Sequence, residues 1–420
     1  MKRPKFLYGW YMVAASWIMV FLTGAVAPSV FFKPMLEDFG WDRVTLSSVQ
    51  SVAMIFFAIA SPFLGQLIDR FGPRAMILTS VVTQFLSRLI QGIATNIGHL
   101  YLGRVLYGIN AFSATNVLLN RWFIKKKGTA LGIAATGISI GTIILTPISQ
   151  HLILVWGWRP TMLFWAAVTL VAMLPLALTI KNNPEDKGYG PDGEPLGRVR
   201  PIAPSLERED TTLPAKLGVQ KGSSFFEAAR TWSFWSLSAS HFICGIGCGF
   251  MMTHIIIFAT DVGYTDMIGA ILVSVQGGLN LIGVLAMGAL SDRIVRKNVL
   301  ALTHLVRSIS FVTIVIFILL GGGSLWMLYA AVALFGFGWY TTAPLMTGLV
   351  ADLFGPLRMG TIIGIALSCH MLGSAVGAYV GGAVFEATQS YYLFFLIQGP
   401  LEFVAVIFAF LIKQKKHYIE

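Results

Sequence analysis

Along the chain, continuous apolar stretches alternate with short polar knots, and most of the stretches run to 20 residues or more. A helix of about 20 apolar residues crosses roughly 30 Å of hydrocarbon while satisfying its own backbone hydrogen bonds. The pattern predicts twelve such spans, near residues 8–30, 45–66, 75–95, 98–119, 129–153, 160–180, 232–259, 265–290, 299–320, 324–350, 360–385 and 391–412. The runs are continuous rather than alternating, which excludes a β-barrel. The expected fold class is an all-α membrane protein. A polar segment rich in Pro, Gly and charge divides it into two sets of six spans, 1–182 and 231–420, with 183–230 as a flexible linker. Ser224 and Glu227 near its end have capping-box spacing and predict a short helix on the membrane surface.

Composition strengthens this picture: 56% of residues are hydrophobic, mean hydropathy is +0.74 and only 12% are charged, where soluble domains carry about a quarter. Charge then sets orientation, because Lys and Arg near short loops prefer the cytoplasmic side. Outside the spans only Lys33, Arg43 and Arg159 fall on the side opposite the termini, so both termini are expected in the cytoplasm. The first apolar run has no small-residue cleavage site and leads into a second span, so it is read as a retained helix. The net charge of +11 reflects this topology and contact with anionic headgroups, and nucleic-acid binding is set aside. Cys244, Cys248 and Cys369 all lie within spans and imply no disulfide framework.

Two polar knots echo each other. "GQLIDRFGPR" (65–74) carries Gly65, Asp69, Arg70 and Arg74, and "GALSDRIVRK" (288–297) repeats the pattern with Asp292 and Arg293. Likewise Gly128, Thr129, Gly132 and Gly141 recur as Gly360, Thr361, Gly364 and Gly373. A repeat of six spans in one orientation predicts two pseudo-symmetric bundles related by an axis along the membrane normal, with a cavity between them. Alone, either knot reads as a tight turn. As a repeated pair they suggest a joint that forms and breaks, since Gly permits close approach and Asp accepts hydrogen bonds from helix N-termini.

The two knots resemble the loop signature of the major facilitator superfamily. "GRVLYGINAF" (103–112) is similar to its Arg-x-x-x-Gly signature in span 4. The segment 121–160, "RWFIKKKGTALGIAATGISIGTIILTPISQHLILVWGWRP", resembles the monocarboxylate-transporter and oxalate/formate-exchanger branch, and "NNPEDKGYGPDGEP" and "YGW" fit its prokaryotic members. The resemblance implies a major facilitator fold, a monomer in the bacterial inner membrane, and alternating access of a small-molecule substrate. It also implies that Asp69 helps latch the halves on the cytoplasmic side, with Gly65, Arg70, Arg74, Asp292 and Arg293 completing a gate.

Ionisable residues near the bilayer midplane are costly and usually functional. Arg88, Arg104, Arg307 and Glu402 qualify. In the implied fold, spans 3, 9 and 12 are peripheral, so Arg88 reads as support and Arg307 and Glu402 as a structural pair rather than a proton relay. Span 4 lines the cavity, and there Arg104, Gly108, Ala111 and Thr115 share one helical face. Arg104 has two readings, contact with substrate or coupling proton, and a bond to backbone carbonyls. Gln276 and Asn280 share a face of span 8, for substrate or for interhelical hydrogen bonds. His254 and His370 are candidates for the coupling proton, His370 also for substrate, and Trp339 and Tyr340 for the cavity wall. His241, Cys244, Cys248, Met251 and Met252 in span 7 form a soft-donor run that would suit Cu(I), or simply close packing.

One departure from the branch matters. Its carboxylate carriers hold the anion with an Arg in span 8, and oxalate carriers add a Lys in span 11. Here span 8, "ILVSVQGGLNLIGVLAMGAL", has neither Arg nor Lys, and His370 stands near the position of that Lys. No phosphate-binding loop or HExxH motif is present, so an enzyme is not expected and no cofactor is implied. The expectation is a secondary transporter of a small organic anion, coupled to protons. The rivals are an exporter of drug-like or siderophore-like compounds, a copper transporter and a non-transporting receptor; span 5 lacks the GPxxGG pattern of proton-driven drug exporters.

Overall fold

The computed structural model describes residues 7–24, 27–109, 112–194, 225–291, 293–355 and 359–414. Its long elements are all helices. Span 1 is Leu7–Thr23 continued by Pro28–Phe39, spans 2 and 3 together form Arg43–Gly92, and span 4 is Ile97–Gly108 with Phe112–Trp122. Span 5 is Lys127–Trp156, and span 6 runs from Trp158–Val168 through a π-turn at Thr169–Met173 into Leu174–Thr179. Spans 7, 8 and 9 are Trp232–Asp261, Asp266–Ser291 and Arg296–Leu319. Span 10 is Leu325–Phe337 with Thr342–Phe354, and spans 11 and 12 are Met359–Thr388 and Tyr392–Leu411. Among the described residues, ten stretches are long and apolar enough to cross a membrane. Residues 73–92 and 97–122 complete the twelve; the first carries Gln84, Arg88 and Gln91, and the second carries Arg104 and is interrupted.

The breaks follow local chemistry. Gly72 (φ 81°, ψ 158°) turns span 2 into span 3, a conformation only Gly adopts easily, and Pro73 then opens the next helix. Span 1 resumes with Pro28 at its first position and runs to Phe39, well past the expected residue 30. The π-turn of span 6 lies just before Pro175, whose missing N–H disturbs the ladder. A short helix, Phe225–Ala229, sits where the linker helix was expected, although Ser224 of its expected cap lies outside the described residues.

Close helix contact builds each half in the same way. A Cβ added to Gly141 would lie 2.1 Å from the carbonyl oxygen of Phe21, and one added to Gly373 would lie 2.0 Å from that of Phe242. Span 5 therefore presses on span 1 as span 11 presses on span 7, and the sequence echo between Gly141 and Gly373 is an echo of packing. Gly249 and Gly377 extend the second contact, each with room for a Cβ only 1.9 Å from a facing carbonyl. In lipid, where burial of apolar surface between helices gains little, such backbone approach supplies the attraction.

The loops make odd-numbered spans run from the end that carries the linker to the far end. Toward the linker end four glycines of spans 5, 8 and 11 behave differently: a Cβ on Gly128, Gly132, Gly288 or Gly364 meets nothing within 4 Å. Among the described residues, the halves are in contact at the far end and apart at these glycines toward the linker end. Gly141→Ala and Gly373→Ala should each destabilise the protein by about 1–3 kcal/mol through overpacking, whereas Gly364→Ala should not. Thermal unfolding in detergent checks this, and a Gly373→Ala protein that melts with the wild type would contradict the packing scheme.

Candidate functional site

Between the halves lies a cleft that encloses about 560 Å³ not filled by protein atoms, lined by Pro28, Tyr107, Thr142, Met251, Met252, Gln276, Trp339 and Tyr340 among others. Its walls come from the broken helices. Span 10 loses helical form at residues 338–341, and the backbone N–H of Tyr340 donates to Asn280 Oδ1 at 2.9 Å. Asn280 Nδ2 donates in turn to Ser139 Oγ of span 5, also at 2.9 Å. Asn280 is therefore fully engaged in holding the wall, while Gln276 in the same span lines the cleft with its Oε1 buried and unpaired. Trp339 and Tyr340 stand on the cleft as expected.

A second, smaller space of about 310 Å³ lies farther toward the far end, lined by Pro28, Phe32, Gln50, Gln91, Leu100, Arg104 and Thr253 among others. Pro28 belongs to both linings. Arg104 is 6% exposed. Its guanidinium stands 5.9 Å from the ring centroid of Tyr107, which lines the larger cleft, and it lies within electrostatic reach of Arg88. Arg88 is buried too, with one long bond to the Gln84 carbonyl and an unpaired Nε. Gln50 and Gln91 each leave an Oε1 buried without a partner. Among the described residues no carboxylate pairs with either arginine. In residues 1–180 the acidic side chains are Glu37, Asp38, Asp42 and Asp69; the first three sit around the far-end turn and Asp69 near the linker end.

Thr115 does not join this group. Ile109, at the end of Ile97–Gly108, has non-helical dihedrals, and the face expected to continue from Arg104 to Thr115 is broken there. Thr115 lines neither space. His370 is half-buried on span 11, its Nδ1 3.2 Å from the His241 carbonyl. Gln50, Gln91 and Tyr107 were not singled out from sequence, because their neighbours lie on other helices and no spacing reveals them.

His254 lies instead in the far-end seal. It is fully buried, with Nε2 2.9 Å from the Ala378 carbonyl and Nδ1 3.0 Å from Tyr391 Oη. Tyr391 Oη also accepts from Arg43 Nη1 at 3.0 Å, and Arg43 Nη2 reaches Asp261 Oδ1 at 2.8 Å. Lys33 pairs with Asp266 at 2.9 Å, and Ser51 Oγ donates to the Ala375 carbonyl at 2.7 Å. Each of these contacts from residues 33, 43 and 51 joins the first six spans to the last six. Asp42 caps span 2 beside them, and the bound Thr45 N–H holds its carboxyl below the usual carboxylate range. At the linker end the polar contacts of the described residues stay within one half: Arg74 with Leu178 and Asn182, Arg296 with Asp352. Arg70 and Arg293 are exposed, and the Gly65 and Asp69 side chains and Asp292 lie outside the described residues.

The run expected to suit a soft metal is otherwise occupied. Cys244 and Cys248 accept from Arg307 Nη1 at 3.1 and 3.3 Å, and no group of three or more possible His, Cys, Asp or Glu ligands occurs among the described residues. Arg307 and Glu402 pair as expected, Nε to Oε1 at 3.0 Å, deep in the second half.

The Major Facilitator Superfamily model matches residues 12–378. The chain belongs to that superfamily. It is a multi-pass membrane transporter and not an enzyme. It is 25% identical over 408 residues to monocarboxylate transporter 12 of Rattus norvegicus, covering 93% of this chain and 82% of that protein. It is 26% identical over 396 residues to the uncharacterised MFS-type transporter YcxA of Bacillus subtilis, covering 92% and 90%. Its fold is similar to a solved D-xylose-proton symporter, with a TM-score of 0.74 at 14% identity over 97% of this chain and 98% of that one.

Each partly exposed ion pair of the seal contributes only about 0–1 kcal/mol, so the charged part of the seal is the sum of several weak contacts. Asp261→Asn should increase labelling of a Ser51→Cys protein by a membrane-impermeant maleimide several-fold over the same cysteine with Asp261 intact. Unchanged labelling would show that the Arg43 contacts do not hold the far end shut.

Proposed function

We propose that this chain is a secondary active transporter of a small organic anion of carboxylate type, coupled to protons, that works by alternating access in a bacterial inner membrane with both termini cytoplasmic. The observation that carries the reading is Arg104: a guanidinium 6% exposed, facing a space between helices, with no carboxylate partner among the described residues. A charge so placed is costly unless something neutralises it. Gln50 and Gln91 beside it leave amide oxygens unpaired but carry no charge, so what the site lacks is a negative charge. A bidentate carboxylate satisfies that imbalance. Arg104 thus takes the place of the arginine absent from span 8.

The larger cleft refines the class. Met251, Met252, Trp339 and Tyr340 present apolar and aromatic surface to the same space as Gln276, which suits a carboxylate with a short apolar body. Similarity to the monocarboxylate transporters supports this reading, as does the fold shared with a proton symporter. With the linker end in the cytoplasm, the described arrangement is closed outward. The gate of Asp69, Arg70, Arg74, Asp292 and Arg293 would then engage only in the opposite state, in which the open glycine faces of spans 5, 8 and 11 close on each other.

Proteoliposomes loaded at pH 7.5 and diluted into labelled lactate, pyruvate, formate or oxalate, with and without an external drop in pH, test the proposal. Acid outside should accelerate uptake of at least one of them. Arg104→Gln should reduce that flux about 10–100-fold, the equivalent of a charge-assisted hydrogen bond of about 1.5–3 kcal/mol, and Arg104→Lys less. Carboxylate flux in Arg104→Gln equal to wild type, or no carboxylate flux in the wild type, would refute it.

A further inference from the structure

Outside the cavities, the largest collection of buried ionisable groups lies where spans 7, 9 and 12 meet. Glu402 and Gln398 of span 12, His304 and Arg307 of span 9, and Cys244 and Cys248 of span 7 are each between 0% and 2% exposed. Glu402 Oε1 accepts from Arg307 Nε at 3.0 Å and Nη2 at 2.8 Å, and more distantly from Gln398 Nε2 at 3.4 Å. Its other oxygen lies 2.9 Å from His304 Nδ1. Arg307 spends its remaining donors on the Cys244 carbonyl and the two thiols. Arg307 and Glu402 cancel in charge. A neutral His304 then donates from Nδ1 to the carboxylate, which leaves Nε2 as a lone pair, buried and without a partner.

That nitrogen distinguishes the cluster from a closed structural ion pair. A pin between helices needs only Arg307 and Glu402; the imidazole adds a vacant proton acceptor already backed by a carboxylate. Histidine is the side chain that exchanges a proton near neutral pH, and a carboxylate on its other nitrogen stabilises the imidazolium. Among the described residues no other acidic group faces the cluster. The remaining titratable neighbours are His241 on span 7, within electrostatic reach of both His304 and His370, His370 itself on span 11, and Tyr340 on span 10, within electrostatic reach of Cys248. His370, half-buried, stands closest to open space of the three.

The cluster also touches the wall of the substrate cleft. A Cβ on Gly338 would lie 2.8 Å from Arg307 Cγ, and one on Gly247 would lie 3.0 Å from Arg307 Nη2, so two glycines make room for this side chain. Gly338 opens the four-residue break in span 10, and the next two residues are Trp339 and Tyr340 of the cleft. Beyond the break, Thr342 Oγ1 lies 3.6 Å from Cys244 Sγ. Whatever moves Arg307 presses on the break, and through it on the bound substrate.

We propose that the His304–Glu402 pair holds the coupling proton of this transporter, and that Arg307 passes its occupancy to the break in span 10. The proton comes from water by way of the His370 side and bonds to His304 Nε2; the pair becomes imidazolium and carboxylate, and Arg307 loses part of its hold on Glu402. Release reverses the step with no other reactant. The proposal rests on the proton-coupled reading above and assigns the proton to the peripheral spans rather than to the cleft.

His304→Gln is the informative variant, because the amide N–H can still bond Glu402 and the Arg307 pair is left whole. In proteoliposomes with labelled lactate, the ratio of acid-driven uptake to exchange at equal pH on both sides should fall at least tenfold against wild type. A ratio within twofold of wild type, whether the two fluxes persist or drop together, would overturn the proposal and return His304 to packing. Should wild type carry no lactate, the substrate reading fails on its own, and ¹⁵N-histidine NMR of the full chain in detergent decides the proton site. A resonance absent from His304→Gln that converts from neutral imidazole to imidazolium between pH 8 and 5 supports the proposal; one that stays neutral overturns it.

Discussion

A guanidinium inside a bilayer requires a negative charge nearby, and the first six spans do not provide one for Arg104. In the second half the same problem is solved internally, with Arg307 held by Glu402 and two thiols. The asymmetry between two halves that otherwise share their packing indicates a division of labour. One half meets its buried arginine with a carboxylate of its own. The other holds a buried cation with no carboxylate partner among the described residues, and in the proposed function its countercharge arrives from solution.

That constraint organises the rest of the molecule. The glycine contacts of span 5 on span 1 and span 11 on span 7 make each half a stiff body, so motion is concentrated between halves. The far-end seal that joins them is a set of weak, partly exposed pairs around Arg43, Tyr391 and Asp261. Weak joints between stiff bodies suit the alternating access proposed above, in which the seal opens without any helix unfolding. The breaks in spans 1 and 10 place non-helical backbone at membrane depth where Ala27, Trp339 and Tyr340 line the larger cleft, the setting in which such backbone is tolerated.

Much of this was legible along the chain. The spans, the two halves and the echo of Gly141 in Gly373 follow from hydropathy and repetition, and the pairing of Arg307 with Glu402 follows from depth. His304 escaped notice because its partner is 98 residues away and a lone histidine in a span has no periodicity to betray it. Arg43 was marked only as a basic residue on the minority side, yet it is the hub of the seal. The helix breaks leave weak traces, a Gly at 108 and at 338, which read equally well as close packing. Thr115 was placed beside Arg104 on the assumption of an unbroken helix, and the break in span 4 separates them. Asp69 and its companions stand out by repetition, but repetition identifies a joint without showing when it is engaged.

The central claim is that Arg104 waits for an anion. The most direct test is the thermal stability of the purified protein at neutral pH with a carboxylate and with its uncharged amide, lactate against lactamide, each titrated at constant ionic strength. The account predicts that lactate raises the unfolding temperature in a saturable way in wild type and not in Arg104→Gln, while lactamide does nothing in either. Equal stabilisation by acid and amide, or stabilisation that survives loss of Arg104, would contradict it.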